Sequence, residues 1–130
     1  MNKNGYTAYK RAEIQSSSPE QLIPLLYREL LRQLAQGRTH IANGAFEEKA
    51  DAFSKANAIL LELMGSLDVK AGGELGQQLA SLYRYFLAEL EAVSRTLDLG
   101  RLDSLVDLIQ PLEEAWRHAA EELASQQAGV

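Results

Sequence analysis

The chain has 130 residues, room for one domain and little more. Hydrophobic residues make up 46% and charged residues 24%, enough to build a packed core and to exclude global disorder. Thirteen basic residues stand against 18 acidic ones, a net charge of −5, which argues against nucleic acid or an anionic membrane as partner. The absence of cysteine excludes a disulfide scaffold, an Fe–S cluster, a thiolate zinc site and a cysteine nucleophile.

The opening residues, Met1 to Tyr9, contain no apolar run of signal-peptide length. The longest apolar stretch, Ile59-Leu60-Leu61-Glu62-Leu63-Met64, is short and broken by a charge, far from a membrane span. A soluble cytoplasmic protein is expected. Glycines cluster at Gly44, Gly72-Gly73 and Gly100, a nearly even punctuation. No useful length alternates as a half-buried strand would. The expected architecture is all-α: an N-terminal arm over residues 1–17, an antiparallel four-helix bundle over 18–124 and a tail over 125–130.

The arm carries Tyr6, Tyr9 and Ile14. Tyr6 and Tyr9 share a face if the arm is helical. The first bundle helix has a clear start: Ser18 as cap, Pro19 at the first helical position, Gln21 three residues after the cap. Its stripe runs through Ile23, Leu26, Tyr27, Leu30, Leu31, Leu34 and Ile41, and Asn43-Gly44 is the stop. Pro24 lies too deep for the first turn and is expected to bend the opening.

The second helix is expected from Phe46 to Leu67, with Phe46, Ala50, Phe53, Asn57, Leu60, Met64 and Leu67 in steps of four and three. Asn57 is either a buried amide that fixes register or a residue at the stripe's wet edge. Residues 68–73 form a turn. The third helix, Glu74 to Leu99, carries Leu75, Leu79, Leu82, Phe86, Leu90, Val93 and Leu97, and Gly100 closes it. The fourth, Leu102 to Ala124, runs through Leu105, Ile109, Leu112, Trp116, Ala119 and Leu123, with a kink expected at Pro111. Trp116 is expected as a core anchor.

These helices carry more apolar surface than one bundle uses. The apolar arc of the second spans about 200°, against roughly 100–140° for a bundle stripe. Leu22 and Leu25 lie outside the first helix's stripe, and Tyr83, Tyr85 and Leu87 lie beside that of the third. Such surface must meet the arm, a second copy of the chain or a partner segment. Leu22, Leu25, Leu63, Tyr83 and Leu87 are therefore candidate partner-binding residues.

No catalytic or metal constellation stands out. His40 and His118 lack a Glu three residues before them, and His-Glu-x-x-His is absent. Gly72-Gly73-Glu74-Leu75-Gly76 lacks the strand and Lys-Ser/Thr of a phosphate loop. Arg28, Arg32 and Arg38 are expected on a solvated face. Neither an enzyme nor a cofactor is expected.

Gly5-Tyr6-Thr7-Ala8-Tyr9, Ser18-Pro19-Glu20-Gln21-Leu22-Ile23 with Leu26-Tyr27, Leu67-Asp68, Gly72-Gly73-Glu74, Leu82-Tyr83-Arg84-Tyr85 and Ala115-Trp116 stand in this order. Together they resemble the flagellar secretion chaperone FliS family. Where its members carry Asp-Gly after the Leu-Tyr of the first helix, this chain has Arg28-Glu29. The resemblance implies a cytosolic four-helix bundle. Its partner would be the disordered C-terminal segment of flagellin, bound as helices in apolar grooves until handed to the flagellar type III export apparatus. It implies that Tyr6 and Tyr9 contact the client, and Ile14 and Tyr83 extend that set. The alternatives are a homodimeric helical adaptor, or a divergent chaperone copy serving another flagellar protein.

Overall fold

The computed structural model describes residues 19–67 and 69–128. They form four helices in chain order: α1 (Pro19–Ala42), α2 (Phe46–Gly65), α3 (Val69–Thr96) and α4 (Leu99–Ala128), with no strand among the described residues. Each of α1 and α3 packs against both α2 and α4, so α1 faces α3 and α2 faces α4 across the diagonals of an antiparallel bundle. The expected fold class holds.

Local chemistry sets the ends. After α1, the Ala45 amide donates to the His40 carbonyl at 2.8 Å and Gly44 donates to Ile41 at 3.1 Å. Gly44 sits at φ 69°, the left-handed turn that the expected Asn43-Gly44 stop requires. No side chain caps α2, but Glu47 and Glu48 in its first turn face the positive end of the helix dipole. Gly73 breaks the start of α3 with φ 58° and ψ −133°, so regular helix resumes at Glu74, the expected start.

Several boundaries differ from expectation: α2 ends at Gly65, before Leu67, and α4 runs from Leu99 to Ala128, so helix takes in most of the expected tail. Gly100 does not close α3; it lies in the first turn of α4. Leu97 takes the left-handed position at φ 60°, and Asp98 caps α4, its Oδ1 accepting from the Arg101 amide at 3.1 Å. The carboxylate cap, worth about 0.5–2 kcal/mol, offsets left-handed strain of similar size in the leucine. Both prolines lie inside helices, as expected. Neither ends its helix: α1 runs through Pro24 and α4 through Pro111.

The core is a column of Leu26, Tyr27, Leu30 and Leu34 from α1, Phe53, Ala56, Leu60 and Leu63 from α2, Tyr83, Phe86, Leu90 and Val93 from α3, and Leu102, Leu105 and Ile109 from α4. α1 and α2 approach so closely at one level that a Cβ on Gly37 would overlap the Phe53 ring. Phe46, expected on the core stripe, is half exposed at the first residue of α2, beyond the reach of the core. Asn57 is exposed, which settles its two readings in favour of the wet edge.

Candidate partner-binding site

The two ends of the bundle are built differently. At the end where α1 finishes and α4 begins, polar ties cross between helices. Arg38 of α1 meets Asp103 of α4 through two parallel hydrogen bonds of 2.8 and 3.0 Å. Arg101 of α4 meets Glu89 of α3 in the same way at 2.9 and 3.0 Å. Lys49 of α2 donates to the Ser94 carbonyl of α3 at 3.1 Å. Each guanidinium holds its carboxylate partner below the usual carboxylate range and is itself raised. Arg38 is exposed, as expected, and from that face it also ties two helices together.

At the opposite end the bundle opens into two apolar clefts. The first, about 410 Å³, runs between the start of α1 and the end of α4. Pro24, Leu25, Ala120 and Ala124 line it, because small alanines on α4 leave the gap that longer side chains would fill. Its charged rim is largely self-paired: Arg117 bonds Glu113 at 3.1 Å and lies 3.8 Å from Glu121. The second cleft, about 390 Å³, is the mouth of the bundle. All four helices or their ends contribute to it, through Ile23, Leu67, Leu75, Leu79, Tyr83 and Trp116. Gly72 and Gly76 keep it open, and Leu75 is 62% exposed there.

Below the mouth, the Tyr27 and Tyr83 hydroxyls meet across the α1–α3 diagonal at 2.7 Å. Both rings are buried and 6.4 Å apart between centroids. Burial pushes the Tyr83 phenol above its ordinary value. Burial, then the bond to Tyr83, pushes Tyr27 up further, while the neighbouring Trp116 indole opposes the shift. Trp116 is half-buried against the core and forms part of the mouth wall.

The expected partner residues divide three ways. Tyr6, Tyr9 and Ile14 lie outside the described residues. Leu25 lines the α1–α4 cleft, and Leu22 and Leu87 are half-buried against the core. Leu63 and Tyr83 are corrections. Leu63 is wholly buried, and Tyr83, 1% exposed, spends its hydroxyl on Tyr27 and offers the mouth only a floor. Both looked like spare surface because a helical wheel does not say how far neighbouring helices rotate towards it. The wheel also missed Pro24, Leu75, Ala120 and Ala124. The available signal was the small residues: Ala120 and Ala124, four apart on one helix, and Gly72 and Gly76 on either side of the break at Gly73.

Among the described residues no group of histidines, cysteines and carboxylates could hold a metal ion, and no helix is long and apolar enough to cross a membrane. The fold and the site therefore define a helical bundle that offers apolar clefts. The comparisons with known proteins make this specific. The family model for flagellar protein FliS matches residues 2–123. The flagellar secretion chaperone FliS of Campylobacter jejuni is 30% identical over 117 residues, covering 90% of this chain and 91% of its own. The Salmonella typhimurium protein of the same name is 28% identical, with 96% of each chain covered. FliSB of Pseudomonas aeruginosa is 32% identical over 81% of this chain and 83% of its own. A crystal structure of a bacterial flagellar chaperone superposes with a TM-score of 0.73 over 94% of this chain and 99% of that one, at 18% identity, a likeness of fold. This chain belongs to the FliS family of flagellar secretion chaperones, a family of chaperones and not of enzymes.

Proposed function

We propose that this chain is a cytosolic export chaperone for flagellin. It holds the disordered C-terminal segment of its client as helices in apolar grooves. It thereby keeps flagellin from polymerising before the flagellar type III export apparatus takes it. The observation that carries this reading is the pair of apolar clefts gathered at one end of a bundle whose other end is tied shut.

The physics suits a client that folds as it binds. A helix laid in a groove is recognised by apolar anchors at three- and four-residue steps and needs no catalytic group. Ordering a disordered segment costs several kcal/mol, so the contact must be long. About 1,000 Å² of apolar burial supplies roughly 25 kcal/mol gross, most of which ordering and association consume. Shielding then follows from occupancy, without ATP.

Isothermal calorimetry of the full chain against the C-terminal segment of flagellin tests the reading. The expected result is a saturable complex with a strongly negative heat-capacity change, as for coupled folding. Turbidity of polymerising flagellin should fall in step with occupancy. A segment that produces no binding heat, alongside a chain that self-associates, would favour the homodimeric adaptor instead.

A further inference from the structure

We propose that α4 is hinged at Pro111: the segment beyond it swings as the shared wall of both clefts, while the segment before it stays fixed to the bundle. Proline has no N–H, so the carbonyl of Asp107, four residues earlier, has no helical donor, and the ring crowds that turn. The ladder of α4 is thus interrupted where its packing also changes. Before Pro111, Leu102, Leu105 and Ile109 are each 2% exposed or less. The same stretch carries the two-bond ion pairs that cross between helices, to α1 through Asp103 and to α3 through Arg101. Beyond Pro111, no side chain through Ala128 is buried. Of the apolar residues there, Leu112 and Trp116 lean on the core without being buried in it. The ion pairs of this segment, Arg117 with Glu113 and with Glu121, stay within the helix and hold it rigid without anchoring it.

This outer segment also forms one wall of each cleft. Ala120 and Ala124 face the first, and Trp116 faces the mouth. A rotation about Pro111 widens both clefts together and parts the Trp116 indole from Tyr27. Opening free energy follows buried apolar contact and anchoring hydrogen bonds, and both are concentrated on the near side of the proline. The hinge is a property of the free protein and stands whether or not flagellin is the client.

Hydrogen exchange on the full, unliganded chain tests it. Amides of residues 112–124 should exchange at least about tenfold faster than those of 100–110, with a step at Pro111. Pro111→Ala restores the donor to the Asp107 carbonyl. It should slow the outer amides towards the inner rate and lower acrylamide quenching of Trp116, the chain's single tryptophan. Two results overturn the proposal. One is protection that declines smoothly towards Ala128 in the parent protein, which is end fraying. The other is a fast outer segment that Pro111→Ala leaves equally fast. The parent profile decides the matter alone if the variant does not fold.

Discussion

The tied end and the open end of this bundle use the same kinds of residue for opposite purposes. At the tied end, Gly37 lets α1 and α2 close until the Phe53 ring fills the space, and arginine–carboxylate pairs link α4 to both neighbours. At the open end, Gly72, Gly76, Ala120 and Ala124 are also small, but the space beside them stays open as clefts, with Tyr83 and Trp116 only lining the mouth. Small residues thus serve close packing in one place and a cleft in the other. What decides is whether the facing helix supplies a side chain long enough to fill the gap. Polar ties between helices are therefore gathered at one end and accessible apolar surface at the other, a division that suits a client-binding bundle.

The sharpest way to break this contrast is at Phe53. It is 4% exposed, and its ring faces Gly37. Phe53→Ala removes buried ring surface and leaves a cavity between two closely spaced helices. The expected loss is about 3–5 kcal/mol, read from the denaturant midpoint. A loss below about 1 kcal/mol would mean that the close contact at the tied end adds little stability.

The Tyr27–Tyr83 pair lies between the two regimes, and its expected effect is intermediate. Tyr83→Phe leaves the buried Tyr27 hydroxyl without its partner at 2.7 Å and should cost about 1–3 kcal/mol. Replacing both should cost less than the sum of the single changes, because no orphaned hydroxyl remains. The pair also sets an alkaline limit. Both phenols are raised in the folded chain above the ordinary value of 10.0, so folding favours their neutral forms. That contribution is complete below the unfolded value and is lost as pH rises past it. Ultraviolet titration should show two of the five tyrosines ionising only as the chain unfolds, and Tyr83→Phe should leave one. Smooth ionisation of all five before unfolding would contradict the buried pair.

Much of this was legible because helices announce themselves locally. Pro19 at the start of α1, Asn43-Gly44 at its end and Gly73 before Glu74 are signals within a few residues, and each falls where the chain turns. The stripes through Leu30, Leu60, Phe86 and Ile109 likewise place the core. What failed depends on how helices face one another. Arg38 and Asp103 are 65 residues apart, and no periodicity within either helix pairs them. Tyr83 and Leu63 looked spare because wheels measure angle and not the rotation of the neighbour. Gly100 misled because the stronger signal, Asp98 as a cap, lay two residues earlier. Of the candidate site, Leu25 fell on a cleft wall, while the clefts themselves arise from what alanine and glycine leave out. Hydrophobic patterning marks the side chains that are present and is blind to such gaps.

The smallest expected effect on stability falls at the mouth. Leu75 is 62% exposed, so Leu75→Ser removes little buried surface and should move the denaturant midpoint by no more than about 0.5 kcal/mol in free energy. Its side chain nevertheless lines the mouth, where a client's apolar anchor would be desolvated against it. Under the chaperone reading, the same change should weaken binding of the flagellin segment severalfold, about 1 kcal/mol or more for an anchor contact. Loss of affinity without loss of stability is the signature of a surface kept for a partner. An unchanged affinity would move the client away from the mouth and leave the cleft between α1 and α4 as its seat.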